Sequence, residues 1–66
     1  MKLTINGEMR QMEEGASVAA LMLMLGINPT QIAVERNGGI VPKSAYGEVM
    51  LEDGDALEVV QFIGGG

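Results

Sequence analysis

One charge-free apolar segment, Val18 to Leu25, most constrains how this chain can fold, because it alone carries helical spacing over more than a single turn. Val18, Leu21, Met22 and Leu25 recur at offsets of three and four, which predicts one core-facing helix. Ser17 stands directly before it, where a hydroxyl can cap the first free N–H groups, and Gly26 follows as the left-handed residue that stops it. Ala20 occupies the place of a capping-box Glu, so that box is absent. Ala19, Leu23 and Met24 make the segment apolar nearly all round, which predicts burial. The six methionines are likewise read chiefly as filling of an irregular small core.

Everything else reads as short strands and turns. Lys2-Leu3-Thr4-Ile5-Asn6 alternates at period two and runs into Asn6-Gly7, the signature of a tight hairpin, with a return strand over about Glu8 to Glu13. Asn28-Pro29-Thr30 predicts a turn or one helical turn, and Ile32-Ala33-Val34-Glu35 a strand rich in β-branched residues. Asn37-Gly38-Gly39 breaks that strand. Ile40-Val41-Pro42 fits an edge piece, Tyr46 to Leu51 another short strand, and Leu57 to Ile63 the strongest strand of the chain. A strand pair, one helix and then several strands predict an α+β domain with a mixed sheet of four to five strands and the helix on one face. Residues 1–63 form this domain on our reading, and 64–66 a flexible glycine tail.

A chain of 66 residues has room for one core, and chains of that size bury only roughly 60% of their unfolded surface, which disfavours a deep enclosed active site. Neither cysteine nor histidine is present, which removes disulfides, most zinc sites, thiol nucleophiles and the commonest general base near neutral pH. Nine acidic against four basic residues give a net charge of -5, so a phosphate backbone is repelled and a protein partner with a basic docking face fits better. No apolar run approaches the roughly 18 residues of a membrane span, and no signal-peptide pattern opens the chain; the expectation is a soluble cytoplasmic protein, monomeric when free.

Two acidic clusters, Glu13-Glu14 and Glu52-Asp53-Gly54-Asp55, lie in predicted turns, where such residues need no function. Arg36 and Lys43 read as solvated surface charge. Gly64-Gly65-Gly66 is different, because it follows a strong strand and no turn requires three glycines there. Without side chains the tail can thread a narrow cleft, and three extended residues reach roughly 10 Å. A terminal α-carboxylate is an anion at neutral pH and inert as an acyl donor until activated, for example by joining the α-phosphate of ATP. Alternation that turns Leu57 and Val59 inward sends Glu58, Val60 and Phe62 outward, so Val60 and Phe62 are expected to form a partner patch beside the tail; the other reading places Phe62 in the core.

Taken in order, Leu3-Thr4-Ile5-Asn6-Gly7, Ser17-Val18-Ala19, Val34-Glu35-Arg36-Asn37, Ile40-Val41-Pro42 with Tyr46, Glu52-Asp53-Gly54-Asp55 and Val59-Val60-Gln61-Phe62-Ile63 with its glycines resemble the ubiquitin-like β-grasp sulfur carriers over essentially the whole chain. Within them the match is to the thiamin-biosynthesis family, ThiS. The resemblance implies a non-enzymatic carrier whose Gly66 carboxylate is adenylated by an E1-like adenylyltransferase of the ThiF type and converted to a thiocarboxylate with sulfur from a cysteine persulfide. A thiazole synthase of the ThiG type would receive the sulfur, and a cysteine desulfurase would stand indirectly behind its supply. Gly65 and Gly66 match the family's terminal pair; Gly64 is an additional glycine. The carrier itself would bind no cofactor, ATP and persulfide sulfur being used by the partner. Alternatives are the molybdopterin sulfur carrier, a ubiquitin-like modifier joined to lysine amines, and a β-grasp interaction or RNA-binding module with an incidental tail.

Overall fold

Val18–Met24 forms the helix α1, and its ends show why it sits there. Ser17 accepts at Oγ from the Ala20 N–H at 3.1 Å, while the Val18 and Ala19 N–H groups donate to the Val49 and Tyr46 carbonyls at 3.0 and 2.8 Å. At the far end Gly26 adopts φ 72°, and the Gly26 and Ile27 N–H groups return to the Leu23 and Met22 carbonyls, the paired bonds of a Schellman motif. The free backbone groups of a seven-residue helix are thus largely satisfied from outside it.

The computed structural model describes residues 1–61, in which five strands make one mixed sheet in the order β2-β1-β5-β3-β4. They are β1 (Lys2–Ile5), β2 (Glu8–Gln11), β3 (Ile32–Arg36), β4 (Gly39–Val41) and β5 (Ala56–Gln61). Single 3₁₀ turns occur at Pro29–Gln31 and Lys43–Ala45. β5 is the middle strand, parallel to β1 and antiparallel to β3. Helix α1 covers one face: Val18, Leu21 and Met22 meet Leu3, Ile5, Ile32, Val34, Val41 and Leu57, with Tyr46 and Leu51 closing the core. The α+β architecture, the single main helix and the edge position of the Ile40–Val41 piece are as expected from the sequence. Both Asn-Gly steps are left-handed at both residues, Asn6 and Gly7 at φ 50° and 82°, Asn37 and Gly38 at 51° and 87°, as two-residue type I′ hairpins require.

Three expectations need correction. Tyr46 to Leu51 is no strand: its Tyr46 and Val49 carbonyls serve the start of α1, and only Met50 forms an isolated bridge, to Ser17. The return strand stops at Gln11, although Met12 beyond it still exchanges two backbone bonds with Met1. The methionines divide evenly: Met22 is fully buried and Met1 and Met12 pack partly against the core, whereas Met9, Met24 and Met50 are exposed, as is Leu23 on the solvent side of α1. Leu25 caps the helix and only partly packs on the core. The expected boundary between residues 63 and 64, and the glycine tail itself, lie outside the described residues.

Candidate functional site

The strand that leads in sequence to the glycines is held by two asparagine side chains. β1 pairs with β5 only at Thr4↔Ala56 and Ile5↔Leu57 before the chain turns away at Asn6-Gly7. Asn6 then stands in for the missing backbone: its Nδ2 donates to the Val59 carbonyl at 3.1 Å and its Oδ1 accepts from the Val59 N–H at 2.7 Å. On the other flank the Ala56 N–H donates to Asn37 Oδ1 at 2.9 Å and the Asn37 N–H to the Ala56 carbonyl at 2.8 Å. A side-chain amide carries the same donor and acceptor as a peptide group, so each asparagine extends the ladder by one rung. Asparagine also tolerates the left-handed backbone that both positions adopt, which few residue types do.

The start of β5 is fixed by Asp55, which is 5% exposed. Its Oδ2 accepts from Arg36 Nε at 2.8 Å and from the Glu52 N–H at 2.8 Å, and its Oδ1 accepts from Asn37 Nδ2 at 3.0 Å. Burial alone would push the Asp55 carboxyl up, but the Glu52 N–H, the Asn37 amide and the Arg36 guanidinium together outweigh it and hold the group below the usual carboxylate range. Asp53 Oδ1 accepts from the Lys2 N–H, tying the same turn to β1. The Glu52–Asp55 cluster is therefore a structural turn, as its sequence suggested. Arg36 is not a solvated charge, however, since it is ion-paired to Asp55; Lys43 Nζ donates to the Thr30 carbonyl.

Alternation along β5 runs as expected: Leu57 is buried and Val59 packs against the core, while Glu58 and Val60 face out. Val60 is 56% exposed and lies directly opposite Ala33 on the sheet face that no helix covers. Met9, opposite Thr4, and Ile40, opposite Glu35, are exposed on the same face. Of the residues expected to carry function, Val60 is thus on this open face; Phe62, Gly64, Gly65 and Gly66 lie outside the described residues. Sequence reasoning missed the roles of Asn6, Asn37 and Asp55, although the Asn-Gly pairs and the Val34 to Asn37 segment had marked the places.

A helix crossing one face of a mixed five-stranded sheet, with β5 inserted beside β1, defines the ubiquitin-like β-grasp class. The model of the ThiS family matches residues 3–66, and the chain belongs to that family. Its relatives include a thiazole synthase of Paramagnetospirillum magneticum, 54% identical over the whole chain, and the sulfur carrier protein ThiS of Bacillus subtilis, 34% identical over 97% of this chain and 98% of the relative. The chain spans about a fifth (20%) of that thiazole synthase. Among solved structures it is similar to the crystal structure of the thiamine biosynthesis protein ThiS from Geobacter metallireducens, with a TM-score of 0.83 and 34% identity over 100% of both chains.

Proposed function

We propose that the chain is a sulfur carrier for thiazole formation in thiamin biosynthesis, acting as a protein co-substrate in the cytoplasm and not as an enzyme. The observation that carries this reading is its likeness to the Bacillus sulfur carrier over nearly the full length of both chains, together with a sequence that offers no cysteine or histidine and carries Gly64-Gly65-Gly66. The Gly66 carboxylate attacks the α-phosphate of ATP in an E1-like adenylating enzyme, and pyrophosphate leaves. The terminal sulfur of a persulfide then displaces AMP at the acyl carbon to give an acyl persulfide, and a thiol that attacks the inner sulfur forms a disulfide with it and releases the thiocarboxylate. Gly65 and Gly64 form the stalk, slender enough for a cleft that no side chain could pass. The thiazole synthase relatives, in which a matching segment belongs to the same polypeptide, support a thiazole synthase as the acceptor.

Intact-mass analysis after co-expression with an adenylating enzyme and a desulfurase tests the proposal. The expected product gains the mass of one oxygen-for-sulfur exchange at Gly66. Isopeptide-linked conjugates in its place would instead indicate a modifier, and an unaltered mass would sink the reading.

Val60 and Phe62 serve in this scheme as the apolar docking patch. Val60→Ala and Phe62→Ala are each expected to raise the apparent KM for the carrier in pyrophosphate release by about tenfold, in line with the loss of a large apolar contact at an interface centre. Folded variants with unchanged KM would remove the patch from the scheme.

A further inference from the structure

The open sheet face carries a second feature, set by strand register. Glu35 on β3 and Glu58 on β5 are directly opposite one another, and both point away from the helix because their neighbours Val34 and Leu57 are buried. Like charges facing each other across a strand pair are destabilising. Ion pairs among the described residues join Arg10 to Glu8 and Arg36 to Glu52 and Asp55, and none reaches Glu35 or Glu58. Arg36, next to Glu35 in sequence, is turned to the opposite side and committed to Asp55. Exposed apolar groups bracket the pair: Ile40 adjoins Glu35 on β4, and Val60 stands two residues beyond Glu58 on β5.

We propose that this face docks a protein partner by seating a cationic side chain between Glu35 and Glu58, with Ile40 and Val60 as its apolar flanks. The partner's charge would relieve a repulsion that nothing among the described residues relieves, and the flanks would exclude water around it, where charge complementarity steers association and fixes register. An arginine fits best, since its planar guanidinium presents donors to two carboxylates at once and is more weakly hydrated than an ammonium. The inference rests on the carrier reading, the partner being the activating enzyme.

Its test is the double variant E35Q/E58Q, assayed with a purified E1-like adenylating enzyme and ATP by pyrophosphate release across a salt series. Removing the repulsion is expected to raise the Tm of the free protein by about 5 °C. The apparent KM should rise about tenfold with kcat nearly unchanged, and the salt dependence of kcat/KM should flatten. Unchanged KM and salt dependence would overturn the proposal while leaving the carrier reading intact, and a lowered Tm would overturn its premise of an unrelieved pair. If the unaltered chain releases no pyrophosphate, the carrier reading fails and this inference falls with it.

Discussion

A chain lacking Gly65 and Gly66 is expected to form no thiocarboxylate, although it still ends in a glycine carboxylate of the same intrinsic reactivity. The difference is reach. Two extended residues span roughly 7 Å, and a misplacement of only about 1 Å at a reacting centre can cost about a hundredfold in rate. Among the described residues β5 pairs with β1 and β3 between Ala56 and Gln61, upstream of the deletion, so the shortened chain should keep its fold, with an unchanged far-ultraviolet circular dichroism spectrum. Intact-mass analysis with the adenylating enzyme, persulfide donor and ATP provides the measurement. Growth of a carrier-deficient strain without thiamin gives an independent check: a truncated chain that supports it would show that the tail is incidental.

The second large effect concerns stability. Asp55→Ala is expected to destabilise the domain by about 3 kcal/mol, since it strands a half-buried guanidinium, an amide and a backbone N–H that now share one carboxylate. For a chain this short, that corresponds to roughly 15 °C in Tm. Asp55→Asn, which keeps one acceptor and loses the charge, should cost about half as much. The acid dependence follows from the lowered native value of the carboxyl. Below an unfolded value of about 3.9, the unfolded state binds the proton first, so the contribution of Asp55 is complete above that pH and is lost as pH falls through the native value. Thermal melts between neutral and strongly acid pH should therefore show a steeper acid loss for the natural chain than for Asp55→Asn. Parallel curves would assign the network no part in acid stability.

How much of this could be read from the residues depends on how local the determining interaction is. Helix α1, the first hairpin and the turn that ends β3 were legible, because Ser17, Gly26 and the two Asn-Gly pairs act through bonds to residues a few positions away; that the second turn closes a hairpin was not read. Alternation along β5 gave the facing of Leu57 and Val60 for the same reason. The order of the strands was not legible, since inserting β5 beside β1 joins residues more than fifty positions apart and leaves no mark in either segment. Tyr46 to Leu51 looked like a strand because of its apolar residues, yet the burial of Tyr46 and Leu51 comes from the segment lying across the start of α1, whose N–H groups take the carbonyls a ladder would have used. Methionine composition misled similarly: a small domain has more apolar residues than interior, and Met9 and Met24 fall on the outside. The facing of Glu35 and Glu58 is a property of register alone, invisible until β3 and β5 are paired.

The central place of β5 has a mechanical meaning. A partner that grips the end of this chain and draws it inward pulls along the axis of a strand bonded on both flanks, parallel to β1 and antiparallel to β3. Such a load is a shear, shared at one moment by the backbone rungs and by the amides of Asn6 and Asn37, and not a peeling force that breaks them in turn. On the carrier reading the domain would therefore act as a stop: the glycines would be drawn in until the sheet met the mouth of the cleft, and the depth of insertion would be set by where the ladder begins.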